Sequence, residues 1–277
     1  MPIFDNHFHL RPSGLGVAAA KRFEDAGGTA LLLTHSPYDE APVRTGDDYT
    51  RAYDITLSMA NAVREETGLR VFVALGPYPV ELVWIAKAIG LPAAEAALER
   101  GLELAAQHVR EGRAIALGEV GRPHFPVSHE IWEASNRILQ RALETARDLG
   151  CALVVHSEDP TGATFREFAE LADRAGLDRG KVVKHHSAAT TDLATTHGIV
   201  PSILAKSDLV TRAVRDGGPF FLETDYIDDP ERPGAVLGPA TVPRKTIAWL
   251  RSGILSEAQA EAIHRTLPER TYGLRLD

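Results

Sequence analysis

The sequence is short of several things. It has one cysteine, Cys151, among 277 residues, so no internal disulfide can form and a reducing, cytoplasmic compartment is expected. No apolar run reaches the roughly 18 residues of a membrane-spanning helix. The opening MPIFDNHFHL lacks the basic-then-apolar order of a secretory signal, so no membrane role is expected. Positive charge is also in deficit. Lys and Arg total 30 against 38 Asp and Glu, a net charge of −8, and no broad basic nucleic-acid surface follows from that balance. An anionic substrate would have to be drawn in by local charge. There is no P-loop, dinucleotide fingerprint or C-x-x-C motif, so a nucleotide cofactor is not expected. Nothing reads as a flexible linker or a fixed-period repeat, and no protein partner is implied.

What is present is ordinary globular material, 44% hydrophobic and 25% charged. Apolar runs of strand length recur at Ile3–His7, Thr29–Thr34, Arg70–Leu75, Ala114–Glu119, Ala152–His156, Lys181–His185, Ile199–Leu204 and Phe220–Thr224. Helical periodicity fills most of the gaps, at Gly16–Asp25, Asp47–Glu66, Ala93–Arg110, Ile131–Leu149, Thr164–Arg174, Thr190–Thr196 and Ser207–Arg215, and again from Val242. Gly150, Gly176, Gly198 and Gly217 are placed as left-handed helix ends, and Asp208 and Ser256 lie near helix starts. Strands alternating with helices predict parallel βαβ units. A doubly wound open sheet uses the same alternation, but eight strands in this length favour a closed (β/α)8 TIM barrel, read as one domain over residues 1–277.

In such a barrel the active site lies at the C-terminal ends of the strands. Those ends carry His7 and His9 as H-x-H, Glu119, His156, His185 and Asp225. Period-two alternation puts both imidazoles of H-x-H on one face, Glu119 with Leu117 and Ile115, His156 with Val154, and His185 with Val183. Each residue has a plainer reading. H-x-H alone is a weak signal, Glu119 could pair with Arg122, Asp225 could cap a turn, and His156 could hydrogen-bond within the barrel. Together, six costly polar groups at one rim need a common purpose, and a metal supplies it. Imidazole with carboxylate suits zinc, manganese or iron better than calcium.

FDNHFH, GEVG, VHSE, KHHSA and LETD, in this order and at strand ends, resemble the TatD-related metal-dependent hydrolases. These are the TatD-like deoxyribonucleases of the amidohydrolase superfamily, and the resemblance spans nearly the whole chain. It implies two divalent ions (Zn, Mg or Mn), one held by His7, His9, Glu119 and Asp225, the other by Glu119, His156 and His185. Glu119 would bridge them, and Asp225 would orient or deprotonate the attacking water. Two ions about 3.5–4 Å apart can activate a water and stabilise a displaced oxygen. Their charge exceeds that of the two carboxylates and suits a phosphoryl group.

The departures concern substrate contacts. Glu158 stands where the better-known nucleases often have Arg, His186-Ser187-Ala188-Ala189 where they have Cys-Phe-Ser-Gly, and GRPHFP where they begin Gly-Leu-Asp. The pattern is similar to an archaeal-type branch. His185 and His186 compete for one role. They should face opposite sides of a strand, and the parity with Val183 favours His185. Lys184 reads as a surface or ion-paired residue, and it is not the carboxylated lysine of other branches, which would sit on the fourth strand.

Arg11, Arg122, His124 and Tyr226 are candidate substrate contacts at the rim, each with a structural alternative. His35 reads as structural, and His108, His129, His197 and His264 as solvated or capping groups. Asp228, Asp229, Glu231 and Arg232 read as a charged turn, a solvated loop or else a lid, where the long Asp229–Pro243 loop begins. The expected function is a metal-dependent phosphodiesterase acting on DNA ends, with Glu119 and Asp225 catalytic. The alternatives are hydrolysis of a small-molecule ester, lactone or amide, hydrolysis of an aminoacyl-tRNA ester, and a non-catalytic metal-binding barrel. A basic strip near Arg11, Arg122 and Arg244 would favour nucleic acid, and a narrow apolar pocket a small molecule.

Overall fold

A computed structural model describes residues 1–276. Eight parallel strands pair in chain order: β1 (Phe4–Phe8), β2 (Ala30–Thr34), β3 (Arg70–Leu75), β4 (Ala116–Gly121), β5 (Ala152–His156), β6 (Val182–Lys184), β7 (Val200–Leu204) and β8 (Phe221–Glu223). The ring closes beyond β8, where the His9 amide donates to the Tyr226 carbonyl at 2.9 Å and Phe8 bridges Tyr226. This is the (β/α)8 TIM barrel that the alternation predicts.

Helices α1 (Val17–Asp25), α2 (Tyr49–Glu66), α3 (Pro79–Ile89), α4 (Leu91–Arg110), α5 (His129–Leu149), α6 (Gly162–Ala175), α7 (Leu193–Thr196), α8 (Ser207–Asp216), α9 (Thr241–Ser252), α10 (Glu257–Glu261) and α11 (Leu267–Tyr272) surround it, with a π-helical turn at Ala262–Thr266. Gly150, Gly176 and Gly217 end their helices in the left-handed region, as expected. The α7 end differs by one residue: His197 itself turns left-handed, and Gly198 follows it. Ser256 caps α10 by accepting from the Gln259 amide. Helix α3 has no counterpart among the sequence expectations. Gly90, at φ +89, separates it from α4.

The apolar side chains form two layers. Leu31, Leu33, Leu117, Leu153 and Val155 pack outward under the helices. Ala30, Leu32, Ala74, Ala116, Ala152, Val154 and Val183 fill the barrel. The C-terminal segment closes the N-terminal end, with Tyr272, Leu274 and Leu276 packed on Phe4 and Phe221. His264 belongs to that plug and is fully buried. Its Nδ1 meets the Phe4 backbone at 3.1 Å and its Nε2 meets Thr246 at 3.0 Å. His108 is buried beside Tyr53, so of the two readings expected for these histidines, solvated or capping, the solvated one fails for both. With that end sealed, polar side chains gather at the other. Among the described residues no helix is long and apolar enough to cross a membrane.

Candidate metal centre

Two irregular strands aim the site inward. β1 shifts register between Asp5 and Phe8, so Asn6 and His7, neighbours in sequence, both reach the interior. Asn6 donates to Ser202 Oγ at 3.0 Å, and His7 Nε2 lies 2.8 Å from Glu119 Oε1. β4 shifts register between Leu117 and Val120. The expected alternation therefore fails here: Leu117 faces the outer layer and Ala116 the inner one, yet Glu119 still turns inward. Irregularities of this kind re-aim side chains at barrel rims. Gly121 serves the same stretch. It has φ +151, and a Cβ there would fall 2.0 Å from the His156 carbonyl oxygen. β5 and β6 are regular, and His156 and His185 follow the inward Val154 and Val183 as expected.

The six expected residues meet at one place. Two compact groups form, His7 with His9 and Asp225, and Glu119 with His156 and His185. Glu119 divides its carboxylate between them. Oε1 lies 2.8 Å from His7 Nε2 and 3.3 Å from His9 Nε2, while Oε2 lies 2.7 Å from His156 Nδ1 and 3.4 Å from His185 Nε2. Asp225 Oδ1 is 3.6 Å from His9 Nε2.

The donor set fits a divalent cation. Ring nitrogens face each other at 3.1 Å for His7 and His9 and at 3.0 Å for His156 and His185. Such a pair can share at most one proton, and a cation between the lone pairs relieves the rest. Glu119 Oε2 is buried and close to His156, yet no hydrogen bond to it is aligned. Close approach without hydrogen-bond alignment is what ligand atoms converging on an ion show.

Glu223 is a member that sequence reading missed. It is fully buried, accepts from the His186 amide at 2.6 Å, and lies 3.6 Å from His185 Nδ1, forming a further group with His7 and His185. Its spacing of two from Asp225 in FLETD was the available signal. Asp5, two residues before His7, is likewise buried. It accepts from the Thr224 and His7 amides, and burial raises its carboxyl to about 8.

His186 corrects the expectation that only one of the two adjacent histidines enters the mouth. β6 ends at Lys184, and His186 adopts φ +47, so strand alternation no longer governs it. His185 joins Glu119, and His186 Nδ1 bonds Asp225 Oδ2 at 2.8 Å. Lys184 is buried rather than exposed. Its ammonium donates to the His185 carbonyl, and burial lowers it to about 8.

Charge inside the cluster is uneven. Burial pulls His7, His9, His156 and His185 down. Asp225 and Glu119 outweigh that at His9 and hold it at about 9, and Glu119 with Glu223 holds His185 at about 10. His7 is lowered by burial and then by His185, and His156 is lowered to about 4, chiefly by burial. Burial would raise Glu119, but His185, His156 and His7 keep it well below the usual carboxylate range.

The groups open into a cavity of about 730 Å³. Arg11 and His124 line it, and His124 Nδ1 lies 2.9 Å from His156 Nε2. Arg122 and Tyr226 do not line it, which corrects their expected substrate role. The Arg122 guanidinium is fully buried, held by Asn136 and Glu167 and sandwiched by Trp132 and Phe168. Tyr226 packs on Phe8 and donates to Asp228. Asp228 is buried too, where a solvated turn was expected, and accepts from the Arg11, Leu15 and Gly16 amides. His35 is the structural residue expected, bonded to Thr56. Tyr78, Val80, Trp84, Phe125, Ile227 and Val236 give the cavity an apolar wall, and Arg232 joins Arg11 as a cation.

The family model for TatD related DNase matches residues 4–273. An uncharacterized protein of Methanocaldococcus jannaschii is 37% identical over 283 residues, which takes in 100% of this chain and 98% of the relative. A TatD homologue from Escherichia coli superposes with a TM-score of 0.65 at 18% identity, covering 98% of each chain. A phosphotriesterase-like lactonase from Deinococcus radiodurans superposes with a TM-score of 0.63 at 17% identity, covering 98% of this chain and 95% of the other. At such identities the structures share the fold. The family match and the 37% relative establish more: the chain belongs to the TatD family, as a TatD-type hydrolase.

Proposed function

We propose that the chain is a divalent-metal-dependent phosphodiesterase that works at nucleic-acid ends. The observation that carries the reading is the division of Glu119 between two buried ligand groups, one oxygen to each. His7, His9 and Asp225 would hold one ion, His156 and His185 the other, with Glu119 shared. When bound, such a pair supplies an acidified water and a Lewis acid for the displaced oxygen.

The chain's own residues do the rest. Asp225 accepts the proton of the attacking water at Oδ1, while Oδ2 stays fixed by His186 Nδ1. Glu223 steadies the two adjacent histidines through the His186 amide and His185 Nδ1. Arg11 lines the cavity, and its guanidinium, 3.6 Å from the exposed Asp39 at Nη1, is a cation suited to a phosphate oxygen.

A panel assay tests this. Metal-loaded protein should release nucleotides from single-stranded DNA and hydrolyse a simple phosphodiester, and Glu119→Ala should do neither. Turnover of lactones alone would overturn the reading. That second reading has its own support, in the apolar wall and in the withdrawal of Arg122, which breaks up any strip with Arg11 and Arg244. The same centre would then act on the carbonyl carbon of a small ester or lactone.

A further inference from the structure

Tyr272, Asn6, Ser202 and Glu223 form one buried line of hydrogen bonds through the barrel. Tyr272 Oη lies 2.8 Å from Asn6 Oδ1, Asn6 Nδ2 lies 3.0 Å from Ser202 Oγ, and Ser202 Oγ meets Glu223 Oε2. The other carboxylate oxygen, Oε1, accepts from the His186 amide at 2.6 Å and faces His185 Nδ1 at 3.6 Å. The line therefore starts on α11, in the C-terminal plug, and ends on the two adjacent histidines at the opposite mouth. Asn6, Ser202 and Glu223 are fully buried, and Tyr272 is nearly so. Polar groups are costly beside an apolar inner layer, and β1 breaks its register to bring Asn6 there. Packing alone does not account for them.

The sense of each bond follows from one end. As a carboxylate, Glu223 only accepts. Ser202 must then donate to it, and Asn6 must offer Ser202 its amide N–H. That leaves the Asn6 carbonyl facing Tyr272, whose hydroxyl donates. Each member orients the next.

We propose that Tyr272, Asn6 and Ser202 are positioning residues for the metal centre. They fix the Glu223 carboxylate, which holds His185 in place for an ion and His186 in place for Asp225. The role rests on the metal-centre reading and extends it to the far end of the barrel, so that the C-terminal helix takes part in assembling the ligand set. A ligating imidazole is aimed by the partner of its other nitrogen, and losing such support typically costs 10- to 100-fold in metal affinity.

Zn²⁺ affinity, read by competition with a chromophoric chelator on the whole chain, tests this. Ser202→Ala should weaken binding roughly 10- to 100-fold. Tyr272→Phe keeps the ring on Phe4 and Phe221 and loses only the hydroxyl, so it should weaken binding about 2- to 10-fold. The double variant should bind no worse than Ser202→Ala, because the tyrosine acts only through the serine. Thr246→Val removes the hydroxyl beside His264, in the same plug but off the line. It should lower the melting temperature and leave Zn²⁺ affinity at the wild-type value, which separates positioning from stability. Wild-type affinity in Ser202→Ala or Tyr272→Phe, an equal loss in Thr246→Val, or losses that multiply in the double variant would overturn the proposal and leave the metal centre standing. Wild-type protein that binds no Zn²⁺ would overturn both.

Discussion

His7 and His185 lie face to face, ring centroids 4.1 Å apart and planes 16° from parallel, although they come from β1 and from just past β6. Two stacked imidazoles resist being charged together. His185 is held at about 10 by Glu119 and Glu223 in spite of burial, while burial and then His185 lower His7. His9 is held at about 9 by Asp225 and Glu119. At pH 7 the ion-free centre therefore carries protons on His185 and His9, and an entering cation must displace them. We expect about two protons released per chain on metal binding at pH 7, and affinity that rises with pH until these groups have titrated. Calorimetry of Zn²⁺ or Mn²⁺ binding in buffers of different ionisation enthalpy reads the number directly. Binding without proton release would show that the imidazoles are not the ligands.

Glu119→Gln tests the carboxylate that the two ligand groups share. Glutamine keeps the shape and one acceptor, but loses the charge that both groups share. Hydrolysis should fall on the order of 10³-fold, several kcal/mol of barrier, and bound metal should fall below the wild-type stoichiometry. The melting temperature of metal-free protein at pH 7 should fall, because the amide leaves the buried, protonated His9 and His185 without the carboxylate charge that offsets them. Wild-type turnover in this variant would remove Glu119 from the centre.

The barrel was legible because its signal is repeated: eight apolar runs separated by helical periodicity leave few alternatives. The positions of His156 and His185 were legible for the same reason, since β5 and β6 keep strict alternation to their ends. Glu119 reached its place by a route that alternation does not describe, because a register shift inside GEVG turns it. Side chains past the last ladder residue were illegible in the same way. His186 at φ +47 and Asp225 at φ +47 owe their directions to local backbone, so a period-two rule placed His186 on the wrong side. Burial of Arg122, Asp228 and His264 was hidden because each is offset by a partner distant in sequence, such as Glu167 for Arg122, the Gly16 amide for Asp228 and Phe4 for His264.

Glu81 gives a pH dependence with a definite sign. It is buried behind the cavity wall on α3, accepts from the Tyr49 hydroxyl at 2.7 Å, and burial raises it from 4.5 to about 7. A carboxyl raised on folding stabilises the fold fully below its unfolded value. That contribution is lost as pH climbs to the folded one. Between about pH 4.5 and 7 Glu81 should therefore cost the native state about 3 kcal/mol, after which the cost levels off. Glu81→Gln keeps an acceptor for Tyr49 and removes the ionisation. Urea melts at pH 5 and pH 8 should show the variant gaining on wild type only at the higher pH. An equal difference at both values would mean that Glu81 does not titrate in this range.

Asp228 fastens the loop after β1 to the segment after β8. Its Oδ1 accepts from the Leu15 amide at 2.7 Å and the Tyr226 hydroxyl at 2.8 Å, and its Oδ2 from the Gly16 amide at 2.7 Å and the Arg11 amide at 3.2 Å. The loop wraps so closely that a Cβ on Gly14 would fall 2.3 Å from the Asp228 carboxyl carbon. Asp228→Asn replaces one acceptor oxygen with a donor that faces amide hydrogens, leaving buried N–H groups without partners. Each costs roughly 1–3 kcal/mol, so a stability loss of about 3 kcal/mol is expected. Arg11 hangs from this loop, and its guanidinium should lose its fixed place in the cavity. KM for an anionic substrate should then rise more than kcat falls, because Asp228 touches none of the ligand groups. A variant that melts lower yet keeps the wild-type KM would show that Arg11 is positioned by something other than this carboxylate.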